Sequence, residues 1–117
     1  MATTRRILIV DDEQDLLDAL VQLLELNSYS VFATTEERKA IEACKAEKFD
    51  VVISDWFAPK KNATEMLAVI KKYSPDSKQI IMTGALVLDS QIECQYSVIY
   101  KPFNVDDLII HIERLFL

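Results

Sequence analysis

Short apolar runs alternate with helical periods along this chain, and that alternation limits the fold more than any other feature. The strand candidates are Arg6–Val10, Ser30–Ala33, Val51–Ser54, Gln79–Met82 and Val98–Tyr100. They are short and rich in β-branched residues, as strands buried on both faces are. Between them, apolar residues recur at helical spacing. Leu16, Leu17, Leu20, Leu23 and Leu24 form one stripe, Met66, Leu67 and Ile70 another, and Leu108, Ile112 and Leu115 a third. Successive β–α units of this kind predict an α/β fold, a doubly wound parallel sheet of five strands with helices on both faces. With 117 residues the chain suits one domain, taken as 1–117.

Polar residues at the joints supply punctuation. Asn27 stands where the first helix should stop, a place often taken by a residue in the left-handed conformation. Thr34 with Glu37 can form a capping box, and Asn62 with Glu65 a second. Asn104 suits the N-cap of the last helix.

In doubly wound sheets the functional crevice lies beyond the carboxyl ends of the strands. The residues that follow each strand therefore matter most. "ILIVDDE" ends the first strand in Asp11, Asp12 and Glu13. Adjacent carboxylates beside a core repel one another, and desolvation sharpens the repulsion, so a compensating cation is expected. Asp55 follows the third strand, Thr83 the fourth and Lys101 the fifth. Topology brings these groups to one edge. Carboxylates in that number suit Mg²⁺, which binds through one or two of them and accepts a phosphate oxygen. A lysine and a hydroxyl beside it suit a phosphoryl group. With that charge neutralised, an aspartate can act as nucleophile and become an aspartyl phosphate.

Each group also has a plain structural role open to it. The acids after the first strand favour the positive end of a helix. Asp55 alone could serve a turn, Lys101 a solvated surface, and Thr83 an ordinary strand end. His111 fits a half-exposed helix position, and Trp56 and Phe57 fit partial burial beside a loop. What these readings leave unexplained is the convergence.

The segments "LIVDDE", "VVISDW", "IIMTGA" and "YKPF", in this order, resemble the receiver domain of two-component response regulators over essentially the whole chain. The resemblance implies a flavodoxin-like strand order, 2-1-3-4-5. It implies that Asp55 accepts a phosphoryl group and that Asp12 and Asp55 ligate Mg²⁺ directly. Asp11 would act through a bound water, and the Phe57 carbonyl would be a further ligand. Thr83 would be the switch hydroxyl. Lys101 would pair with Asp55 and then with the phosphate, after a cis Lys101–Pro102 bond. Gly84 would leave room for a partner's phosphohistidine. The implied partners are a histidine kinase or phosphotransfer protein, and a downstream protein target or an attached output domain. The implied role is that of a phosphoacceptor rather than an enzyme.

The chain also departs from the family pattern. "PKKNAT" lacks the usual glycines after the phosphorylation site. The stretch from Thr83 to Lys101 is short, which predicts a shortened fourth helix and a response concentrated in residues 84–91. Val98 stands where an aromatic often couples the hydroxyl to the output face. A receiver-like interaction module working without phosphate is therefore the competing expectation. A haloacid-dehalogenase-type phosphatase fits less well, because Phe57 stands where its second aspartate belongs. A flavodoxin is excluded, since no hydroxyl- and glycine-rich loop follows the first strand.

Composition narrows the partners. The net charge of -6 argues against direct contact with nucleic acid. No apolar run is long enough for a membrane span, and no apolar signal segment follows "MATTRR", so the expected location is cytoplasmic. Cys44 and Cys94 fit no metal-binding spacing, and Cys44 falls in a helical apolar pattern that suits a buried thiol.

Overall fold

The computed structural model describes residues 4–56, 63–84 and 95–117. Five strands are present: β1 (Arg6–Val10), β2 (Ser30–Thr34), β3 (Val51–Asp55), β4 (Lys78–Thr83) and β5 (Ser97–Tyr100). Four helices lie among the described residues: α1 (Gln14–Leu26), α2 (Glu37–Ala46), α3 (Thr64–Tyr73) and α4 (Val105–Arg114). The strands form one parallel sheet in the order β2-β1-β3-β4-β5. The order steps outward from β1 in both directions, so the carboxyl ends of β1 and β3 flank the crevice where the winding reverses. The shortened helix expected between β4 and β5 falls within residues 85–94, outside the described residues.

Strand alternation sorts the apolar residues into two layers. Ile7, Ile9, Ile53, Ile80, Met82 and Ile99 face α1 and α4, where Leu17, Leu20, Leu24, Leu108 and Ile112 meet them. Leu8, Val10, Val52 and Ile81 face α2 and α3, against Ala40, Cys44, Met66, Leu67 and Ile70. Central strands buried on both faces need no polar alternation, which explains their unbroken apolar runs. Cys44 is buried, as its helical pattern suggested, and burial pushes its thiol pKa up. In α1 the sequence stripe is wider than the buried face: Leu17, Leu20 and Leu24 are buried, whereas Leu23 is exposed.

Two joints differ from their sequence expectations. Thr34 is not a helix cap. It is the last residue of β2, and its hydroxyl accepts from the Glu36 N–H at 3.1 Å, while Glu36 begins the helix without a side-chain cap. The left-handed residue after α1 is Ser28, at φ 73°, and not Asn27, at φ −99°. Asn27 instead donates its amide to the Leu23 carbonyl at 2.8 Å, a bond that favours its non-left-handed backbone. The Asn104 cap forms as expected: its Oδ1 accepts from the Asp107 N–H at 2.8 Å. Asn62, the other proposed cap, lies outside the described residues, and the N-cap position of α3 is taken by Ala63, with no side-chain cap.

Candidate functional site

The carboxyl end of β1 delivers two acids into different surroundings. Asp11 is fully buried and Asp12 is exposed. The Asp11 carboxylate accepts from the Glu13 N–H at 2.9 Å, which ties it across the turn into α1. Asp55 ends β3, next to β1 in the sheet, and is partly buried. One carboxylate oxygen from each of Asp11, Asp12 and Asp55 lies within 4.8 Å of the others. Among the described residues, this is the group with the composition and spacing to hold a metal ion.

Lys101 enters from the end of β5. Its Nζ donates to Asp55 Oδ1 at 3.1 Å and to Asp11 Oδ2 at 3.2 Å. Its N–H donates to the Thr83 carbonyl at 2.7 Å, which carries the β4–β5 ladder to the lip of the crevice. The Lys101–Pro102 peptide is cis, as the resemblance implied.

The charges are interdependent. Burial pushes the Asp11 pKa above its ordinary value, and the negative charge of Asp55 adds to this. The Glu13 N–H and the Lys101 ammonium oppose the rise without cancelling it. For Lys101, burial works against the ammonium, but the bond to Asp55 and the charges of Asp11 and Asp55 outweigh it, so its pKa is raised. One ammonium thus offsets three crowded carboxylates only in part. The surplus of negative oxygen is the donor set that a small divalent cation takes.

Thr83 ends β4 and is buried. Gly84 follows it, and a Cβ built on Gly84 would meet no atom of the described residues within 4 Å, so packing among them does not require a glycine there. Phe57, the expected carbonyl ligand, lies outside the described residues. Asp11, Asp12, Asp55, Thr83 and Lys101 therefore gather at one sheet edge. The same edge carries one relation that the motifs do not reveal. The Trp56 N–H donates to the Met82 carbonyl at 2.9 Å, which sets Trp56 beside Thr83.

His111 takes no part in this edge. It lies on α4, where its Nε2 meets the Ser97 hydroxyl of β5.

Known proteins carry the same pattern. The response regulator receiver domain family matches residues 7–113. The response regulator receiver protein CpdR of Brucella abortus (strain 2308) is 30% identical, over 95% of this chain and 96% of that protein. The C4-dicarboxylate transport transcriptional regulatory protein DctD of Rhizobium meliloti (strain 1021) is 27% identical over 93% of this chain, which spans only 25% of that longer protein. A CheY-like receiver domain from Methanospirillum hungatei JF-1 superposes with a TM-score of 0.86 at 30% identity, covering 97% of this chain and 94% of that one. On the family match and this relatedness along nearly its full length, the chain belongs to the response regulator receiver domains of two-component systems.

Proposed function

We propose that the chain is a phosphoacceptor, taking a phosphoryl group onto Asp55 from a histidine kinase or phosphotransfer protein in a Mg²⁺-dependent reaction. In this reading residues 1–117 form one cytoplasmic signalling domain whose phosphorylation changes its contacts with a protein target or an attached output domain. The observation that carries the reading is the Lys101 ammonium bridging Asp11 and Asp55 within a cluster of three carboxylates.

The chemistry assigns each side chain a task. An Asp55 carboxylate oxygen attacks the phosphorus of a phosphohistidine. The new O–P bond forms as the N–P bond breaks, and its electron pair stays with the departing imidazole. Lys101 already touches Asp55, so its ammonium is positioned to hold phosphoryl oxygen as charge builds there. The Thr83 hydroxyl is proposed to bond a phosphoryl oxygen afterwards. Asp11, Asp12 and Asp55 are the residues that would hold magnesium, and their hard oxygen donors fit that ion. Neutralisation of the phosphoryl oxygens is the chemistry that the metal supplies when bound. Among the described residues nothing crowds Gly84, which suits the approach of a partner carrying the phosphohistidine.

Incubation with acetyl phosphate and Mg²⁺ tests the reading. One phosphoryl group is expected by intact-mass measurement, and none on Asp55→Asn. Full labelling of the Asn variant would place the acceptor elsewhere. Failure of the native chain to take up phosphate from acetyl phosphate or from any phosphohistidine donor would favour the phosphate-independent module instead.

A further inference from the structure

β2 lies at one rim of the sheet, with β1 on one side of it and, among the described residues, no strand on the other. The Ser30 N–H donates to the Arg5 carbonyl at 2.9 Å, and the Thr34 carbonyl accepts from the Asp11 N–H at 3.3 Å. Successive residues of a strand turn their backbone groups to opposite sides. Ser30, Phe32 and Thr34 therefore face β1, and the N–H and C=O groups of Val31 and Ala33 point outward from the sheet. Such an edge is a template for another strand unless charged residues, proline or a bulge guard it. β2 reads Ser-Val-Phe-Ala-Thr, with no charge and no proline, and its register with β1 runs without a break. β5, at the opposite rim, is one residue shorter, and Lys101 and Pro102 follow it at once. Both are residue types that interrupt edge pairing.

Phe32 stands at the centre of β2. It pairs with Leu8, which faces α2 and α3, so its ring lies on that side of the sheet. α2 leaves it uncovered: 38% of Phe32 is exposed, beside a groove of about 440 Å³ that Ala43 and Ala46 of α2 also line. The chain carries a net charge of -6. The charged residues of this groove nevertheless cancel, Arg6 and Lys39 against Glu42 and Glu47. Two copies of this surface can meet without the repulsion that the net charge would otherwise impose.

We propose that β2 is a self-association surface, pairing antiparallel with β2 of a second copy of this chain about a twofold axis through Phe32. The outward groups make this register self-complementary. Val31 of each copy faces Ala33 of the other, and each such pair exchanges two backbone hydrogen bonds. No outward donor or acceptor of either residue is left over. Phe32 meets Phe32 on the axis as a non-hydrogen-bonded pair, the closer kind, with Cα atoms about 4.5 Å apart. The two rings leave solvent against each other. Sliding one strand by two residues would set Phe32 opposite Ser30 or Thr34 and leave both rings wet. A twofold contact uses the same patch on both copies, so assembly stops at the dimer. Stable interfaces bury about 1,200 Å² or more. A pair of five-residue strands with two rings supplies less, so the dimer is weak and depends on concentration. Antiparallel pairing puts the two Asp55 edges at opposite ends and leaves both open, which makes this surface independent of the reading of Asp55.

Sedimentation velocity of the full chain from micromolar to millimolar concentration, with amide exchange read by NMR at both ends of that range, tests the proposal. The native chain is expected to pass from monomer to dimer. The Val31 and Ala33 amides should then exchange several-fold more slowly at the higher concentration. The Phe32 amide, which faces β1, should be protected equally at both. Phe32→Lys places a charge on the axis at a half-exposed position and should stay monomeric throughout. A native chain that remains monomeric at millimolar concentration overturns the proposal. So does a dimer in which the Val31 and Ala33 amides exchange as fast as in the monomer, since its contact lies on another face. A dimer undiminished in folded Phe32→Lys, or growth beyond the dimer, overturns the twofold through Phe32. Should the Lys variant fail to fold, the alternation of protection along β2 in the native chain decides alone.

Discussion

Asp11 and Lys101 show how single side chains set the electrostatics of this edge. Asp11 is buried with one backbone donor and one ammonium, and burial still dominates its pKa. A carboxylate so placed is costly unless something positive is near. The strand-end acids were legible in the sequence because a buried strand cannot tolerate them before its end. That one lysine bridges Asp11 and Asp55 was not, since ninety residues separate Asp11 from Lys101 and only the strand order brings them together. His111 was legible only as a half-exposed helix residue, and its partner Ser97 depends on how α4 lies over β5. Burial lowers the His111 pKa from 6.5, and the charge of Arg114 lowers it further. The imidazolium is therefore disfavoured in the folded chain, and the unfolded chain binds the proton more readily. Stability from this residue is complete above pH 6.5 and is lost as pH falls through the lower folded value. Urea denaturation across that window should show stability falling with acid, and His111→Gln should flatten the slope. An equal slope in the variant would assign it to other groups.

At the scale of elements, caps decide where helices begin, and they were the least legible part of the fold. Among the described helices only α4 has a side-chain cap at its first residue, from Asn104. Its motif could be read because a cap of this type is local: the acceptor and the Asp107 N–H are three residues apart. Thr34 offered the same local pattern and lost it to the sheet, where pairing with Val10 holds it in β2. The strands themselves were read to within about one residue at each end; in β1, β3 and β4 burial on both faces leaves an unbroken apolar signature, whereas the edge strands β2 and β5 are only partly buried and were marked by their short β-branched and aromatic runs. Asn104→Ala is expected to cost about 1 kcal/mol. The cap also fixes the start of the helix that follows Lys101 and Pro102, so the loss should be accompanied by amide exchange that quickens in the first turn of α4. Unchanged exchange there would show that packing of Leu108 and Ile112 alone determines where the helix starts.

For the whole molecule, the fold concentrates its electrostatic cost at one end of an otherwise apolar interior. Two core layers, one on each face of the sheet, hold the strands in place. The strand ends in turn hold Asp11 and Asp55 close together, and Asp12 lies near them at the turn into α1. Folding therefore brings together carboxylates that the unfolded chain keeps apart, and a cation that binds the folded arrangement alone must stabilise it by mass action. At a Mg²⁺ concentration tenfold above its Kd the gain is about 1.4 kcal/mol. For a domain of this size that raises the melting temperature by roughly 5 °C. Asp12 is the member to remove, because it is exposed and lacks the packing role of Asp11. Asp12→Ala should melt at or slightly above the native temperature in chelator, since one repelling charge is gone. It should then lose most of the rise on adding Mg²⁺. Calorimetry of both chains, with and without the metal, separates the two effects, and an Ala variant that keeps the full Mg²⁺ shift would place the cation away from this cluster.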